Sequence, residues 1–173
     1  IPHRIEHLQM SRKADIQKLA GLHVAGCVQP HNMILDINMI DQSVGGKGRY
    51  AYAFRNILES GIQLMFSSDC PVADPNPLAG IHAAITRQRQ DGSPKGGWYP
   101  DQCISVDEAI RAYTCTPAIA SGAVHRLGSI SPGKHADLIV LDKDIYLIDP
   151  GEILDTRVVL TMFDGKIVFS ADR

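Results

Sequence analysis

The chain lacks three things that would have narrowed its role at once. It has no Cys-x-x-Cys pair: Cys27, Cys70, Cys103 and Cys115 are scattered, which suggests neither a zinc knuckle nor a disulfide framework. They read instead as reduced, small hydrophobes. It has no excess of charge of one sign: 17 basic against 19 acidic residues leave a formal net charge of −2. That excludes a basic field for nucleic acid and a cationic amphipathic face for a membrane surface. It has no apolar run near the roughly 20 residues that span a bilayer, and Ile1-Pro2-His3-Arg4 has neither the charged nor the apolar region of a signal peptide. The expectation is a cytoplasmic protein with a small-molecule ligand.

At 173 residues and 45% hydrophobic content, there is enough chain for one core, or for a core with an appendage. The first residue is not Met and the sequence opens inside an extended segment, so a C-terminal part of a longer protein is expected. In His3 to Leu8 the alternation puts His3, Ile5 and His7 on one face of a strand, and Ser11 is a candidate N-cap for a helix that ends at Gly21. Leu22 to Gln29 reads as a second buried strand stopped by Pro30. Pro30 to Gly48, ending in Gly45-Gly46-Lys47-Gly48, reads as a long loop. Those glycines are a weak phosphate cradle, because Gly48 stands where a hydroxyl is wanted. Tyr50, Phe54, Ile57 and Leu58 form a helical stripe closed by Gly61.

The stretch Gly61 to Val72 runs an apolar strand into a small-residue turn, Ser67-Ser68-Asp69-Cys70-Pro71. A carboxylate there sits at the carboxyl end of a strand, where open α/β sheets and α/β barrels keep their chemistry. Leu78, Ile81, Ala84 and Ile85 then repeat at helical spacing, residues 91–102 form a Gly/Pro-rich loop, and Ser105-Val-Asp-Glu108 is a capping box. From Leu127 the composition turns to short β-branched runs. Ala136 to Asp142 is a strand, and Val158 to Phe169 a hairpin about Asp164-Gly165. Three strands cannot cover both their faces, so this tail is expected to pair with strands outside the chain.

Strand and helix alternate three times before the β tail, the order of a parallel α/β sheet with a β appendage. The residues carry a resemblance as well. Arg4-Ile-Glu-His-Leu-Gln9, Ser68-Asp-Cys-Pro-Val72 and Gly128-Ser-Ile-Ser-Pro-Gly-Lys-His-Ala-Asp-Leu-Ile-Val-Leu-Asp142 resemble segments of the metal-dependent amidohydrolase superfamily, in the amidohydrolase 3 group of YtcJ-like proteins. The resemblance implies an α/β fold: residues 1–125 as the C-terminal part of a (β/α)8 TIM-like barrel, about strands 6 to 8, and residues 126–173 as strands of a small β-sandwich domain.

It also implies a hydrolase that cleaves amide or other non-peptide C–N bonds of a small molecule with metal-activated water. His7 matches the metal ligand of the sixth strand, and Asp69 the proton shuttle or metal-bound carboxylate of the eighth. The implied cofactor is a divalent metal, zinc above all, whose further ligands lie upstream; it is expected to be absent or incomplete in this chain, which alone is expected to be inactive. Gln29 and His31, closing the seventh strand, and Trp98, a candidate lid with Tyr99, are candidate substrate contacts; rim packing is the competing reading for Trp98. Arg4 and Glu6 have no assigned role, and Asp74 and Asn76 read as turn-formers. Homo-oligomerisation is expected to cover open sheet edges. A non-catalytic assembly or regulatory module is the alternative from another class.

Overall fold

The computed structural model describes residues 1–171. Two sheets organise it. The first is parallel, with strands β1 (His3–Ile5), β2 (Val24–Val28) and β3 (Gln63–Phe66) side by side in chain order. Arg4 pairs with Ala25, and Val28 with Phe66, so all three carboxyl ends open on one edge. β2 is flanked on both sides and buried on both faces, as its near-continuous run of small and apolar residues requires. Leu64 and Phe66 of β3 face the main helical core, whereas Met65 joins Ala25, Cys27 and Ala120 in a small cluster on the other face. Gly26 lies close under Leu8: a Cβ there would stand 2.7 Å from Leu8 Cδ2, so that side chain would have to shift.

The helices follow local chemistry, with corrections to the sequence reading. α1 (Lys13–Ala20) has Arg12, not Ser11, at its N-cap, without a side-chain cap, and its C-cap Gly21 is right-handed at φ −80°. The expected long loop after Pro30 is a 15-residue helix, α2 (Pro30–Val44). Proline has no N–H to lose at the first helical position and its φ is already helical, so Pro30 starts this helix rather than only stopping the strand. Met33, Ile34, Ile37 and Ile40 then bury one face of it. Gly45 to Tyr50 continues as 3-10 turns. The glycines therefore follow a helix C-terminus and not a strand, which removes the phosphate-cradle geometry. Tyr50 lies outside the following helix, α3 (Phe54–Glu59).

α4 (Pro77–Thr86) is capped by Asn76, whose Oδ1 accepts the Leu78 N–H at 3.0 Å, and Asp74 Oδ1 accepts the Asn76 N–H at 2.7 Å. Both are turn-formers, as expected. α5 (Val106–Tyr113) carries the full capping box between Ser105 and Glu108. The Glu108 carboxylate also receives two hydrogen bonds of 2.8 Å from the Arg55 guanidinium. A last helix, α6 (Cys115–Ala120), completes the unit. Gly80 in α4 makes room for α5, since a Cβ would fall 1.9 Å from the Tyr113 hydroxyl oxygen.

The core centres on Phe54, in edge contact with Tyr52 and Phe66 at centroid distances of 6.4 and 5.2 Å. Arg87 is buried beside it and lies over the Phe54 and Trp98 rings. Its Nε and Nη1 donate to the carbonyls of Trp98 and Tyr52. Burial pulls its guanidinium down to about 10.

The second sheet is antiparallel, in the order β4 (Leu138–Leu141), β5 (Val158–Phe163), β6 (Lys166–Ser170). Asp164 and Gly165 both take positive φ, 48° and 75°, the requirement of a type I′ hairpin turn. Ile145 and Ile153, between β4 and β5, are buried in the first unit's core.

Candidate functional site

The open edge of the parallel sheet collects the chemistry. His7 stands two residues past β1, Gln29 directly after β2, and Asp69 three residues past β3. His7 and Asp69 both take left-handed backbone, φ 55° and 57°. For a residue with a Cβ that conformation costs on the order of 1 kcal/mol, and it concentrates at functional sites. The turn at His7 ends the strand's two-residue alternation and re-aims its side chain. It is held from both sides: the Gln9 N–H donates to the His7 carbonyl at 2.7 Å, and the Leu8 N–H to that of Cys27 at 2.9 Å. The result is an imidazole Nε2 3.7 Å from Asp69 Oδ2, with both side chains reaching solvent. Residues 62 positions apart meet because β1 and β3 flank the same strand in parallel.

Just beneath lies a buried polar cluster absent from the sequence reading. Gln29 Nε2 donates to Ser67 Oγ at 2.9 Å and to Cys27 Sγ at 3.7 Å, and Cys27 Sγ in turn donates to Ser67 Oγ at 3.4 Å. Gln9 Nε2 donates to Gln29 Oε1 at 3.5 Å. Burial pushes the Cys27 thiol up to about 11, which keeps it protonated and a poor nucleophile. The cluster follows from strand register rather than from any local sequence pattern. Val28 and Phe66 are register partners, so the residues that follow them, Gln29 and Ser67, are neighbours.

The other candidates are placed unequally. His31 sits in the first turn of α2 at the same edge, and its Nδ1 is buried with no hydrogen-bond partner among the described residues. Gln29 is 1% exposed, its amide already bonded on both sides. Trp98 is 5% exposed. Its indole N–H donates to Asp41 Oδ1 at 3.0 Å and its ring packs against Arg87, which is the rim packing set against the lid. Arg4 and Glu6 pair with each other at 3.1 Å.

His7 and Asp69 are donors of the types that zinc takes, but such centres use three or more protein ligands. Among the described residues no group of three or more His, Cys, Asp or Glu side chains is placed to hold a metal ion. The pair is a partial donor set, chemically suited and numerically short.

The profile of the Amidohydrolase family matches residues 2–169, nearly the whole chain. The chain belongs to the amidohydrolase family. It is 35% identical over 170 residues to Protein LONG AFTER FAR-RED 3 of Arabidopsis thaliana, covering 96% of this chain and 28% of that protein. It is 30% identical over 166 residues to the N-substituted formamide deformylase of Arthrobacter pascens, covering 95% of this chain and 30% of that enzyme. Among solved structures, an uncharacterized metal-dependent hydrolase from Pyrococcus horikoshii superposes with a TM-score of 0.76 at 29% identity, over 87% of this chain and 31% of that one. The chain thus spans less than a third of each of these proteins. Among the described residues no helix is long and apolar enough to cross a membrane.

Proposed function

We propose that this chain is part of a metal-dependent hydrolase that cleaves amide or other non-peptide C–N bonds of a small molecule. The observation that carries the reading is the approach of His7 to Asp69 at the carboxyl edge of a parallel sheet. Family membership and the 30% identity to a formamide deformylase support an N-acyl or N-formyl amine as the substrate type. When bound, a divalent metal such as zinc supplies positive charge that polarises a scissile carbonyl and acidifies a water. His7 offers an imidazole nitrogen to hold it. Asp69 receives the proton on its carboxylate at Oδ2, beside His7, and returns it to the departing amine. His31, on the same edge, is the substrate contact in this reading.

The remaining ligands would come from further strands of a TIM-like barrel, of which residues 1–125 form the C-terminal part. Residues 126–173 would belong to a small β-sandwich completed by strands outside this chain. The uncovered apolar strands of the tail support that cover, and they support self-association of the chain as well.

The test uses the gene's full-length protein. A screen of N-formyl and N-acyl amines should show turnover and bound metal. Asp69→Asn should lower kcat by about a hundredfold or more, and His7→Ala should lose metal. Undiminished activity in both variants would sink the assignment. A folded, metal-free protein that hydrolyses nothing in the screen would pass the case to a non-catalytic module. The 173-residue chain alone should neither retain stoichiometric metal nor turn over.

A further inference from the structure

We propose that Gln29 is a positioning residue, not a substrate contact: it fastens together the exits of the three parallel strands and so sets the separation of His7 and Asp69. The proposal rests on the reading of that edge as catalytic. Its geometry stands on four observations. Gln29 follows the central strand of the sheet, and its two neighbours carry the two site residues. Its amide spends both of its ends. The nitrogen donates to Ser67, two residues before Asp69, and the oxygen accepts from Gln9, two residues after His7. Cys27 closes a triangle with Gln29 and Ser67, its thiol held protonated and hence able to donate. Finally, Gln29 is 1% exposed. A substrate would have to displace protein partners to reach it.

The arrangement explains how two solvent-reaching side chains on left-handed turns keep one geometry. Neither turn is fixed by a glycine, and the His7–Asp69 contact, at 3.7 Å and half open to solvent, is too long for a hydrogen bond that would lock the pair. Position must come from the backbone on which each side chain stands. Near the exits that backbone is secured by the Leu8 N–H bond to the Cys27 carbonyl and the Ser67 N–H bond to that of Val28. Gln29 braces both from the strand between them.

Gln29→Met keeps the side chain's length and removes its hydrogen bonds; Ser67→Ala removes the receiving hydroxyl. In the full-length protein, amide exchange at Leu8 and Ser67 should speed up about tenfold in Gln29→Met, the equivalent of about 1.4 kcal/mol, while Leu64 within β3 stays as protected as before. The visible spectrum of the cobalt(II)-loaded protein should change. On the best substrate of the screen, kcat should fall about tenfold to a hundredfold, with KM within about twofold. Ser67→Ala should show the same pattern more weakly, and it carries the same measurements if Gln29→Met fails to fold. Unchanged exchange at Leu8 and Ser67 would overturn the proposal. So would loss of protection spread evenly through β2 and β3, the mark of a merely structural residue. If the parent protein turns over nothing, the proposed hydrolase fails, yet the exchange measurement still decides whether Gln29 braces the edge.

Discussion

The parallel and the antiparallel sheet are both three strands wide, yet they treat apolar residues in opposite ways. β2 has Ala25, Cys27 and Val28 all but sealed, under helices on one face and α6 on the other. In β6 three consecutive apolar residues, Ile167, Val168 and Phe169, are about half exposed or more, and Ile139 and Val140 of β4 are similarly open. Consecutive residues of a strand point to opposite faces, so both faces of the second sheet show apolar surface among the described residues. The lesson is that a sheet's hydrophobicity does not measure its burial in the chain at hand. β2 and β3 of the first sheet have their cover within these residues, and the second sheet is tied to that unit through Ile145 and Ile153, with Leu141 and Ile148 packed alongside. The candidate site lies at the carboxyl ends of the first sheet, where His7 and Asp69 approach to 3.7 Å.

The largest effect should come from the centre of the covered region. Phe54 is fully buried between Tyr52, Phe66 and the Arg87 guanidinium. Phe54→Ala should cost about 3–5 kcal/mol, read from urea unfolding of the 173-residue chain. A loss below about 1 kcal/mol would break the contrast between the two sheets at its stronger end.

The same contrast separates what was legible in the sequence from what was not. The Ser105–Glu108 capping box and the Asp164-Gly165 turn were readable because their hydrogen bonds and dihedrals are satisfied within four residues. β2 and β3 stood out as short apolar runs. α2 was misread because Pro30 signals a strand's end and a helix's first turn equally well, and only the buried stripe from Met33 to Ile40 decides between them. At the candidate site, Asp69 stands out by its place in a turn at a strand's carboxyl end and His7 by motif resemblance; their apposition needs the register of three strands. The Gln29–Ser67 bond lay further out of reach, since it depends on adjacency across strands and on side chains of unremarkable type. Nor did anything in Arg4 to Gln9 announce a left-handed turn at a histidine.

A middle-sized effect belongs to the tie between α3 and the α5 cap. The Arg55 guanidinium holds the Glu108 carboxyl below its ordinary value. For a carboxylate lowered on folding, the stabilising contribution is present above the unfolded value of about 4.3 and is lost as pH falls through the lower folded value. Glu108→Gln should therefore cost about 1 kcal/mol near neutral pH. The gap to the parent should close as the solution is acidified below about pH 4. A gap independent of pH would show that the cap works through geometry rather than charge.

The smallest effect, and the one that bears most on the second sheet, is expected at Phe169, 49% exposed on β6. A side chain that leaves half its surface in water has little apolar contact to lose, so Phe169→Ser in the 173-residue chain should change unfolding free energy by less than about 1 kcal/mol. In the full-length protein, where we propose that further strands cover this sheet, the same substitution should cost several times more, because the ring would then be buried on folding. An equal, small cost in both settings would remove the proposed cover. A large cost already in the 173-residue chain, growing with protein concentration, would show instead that copies of the chain cover one another through these strands, and would turn the exposed face of the second sheet into a self-association surface.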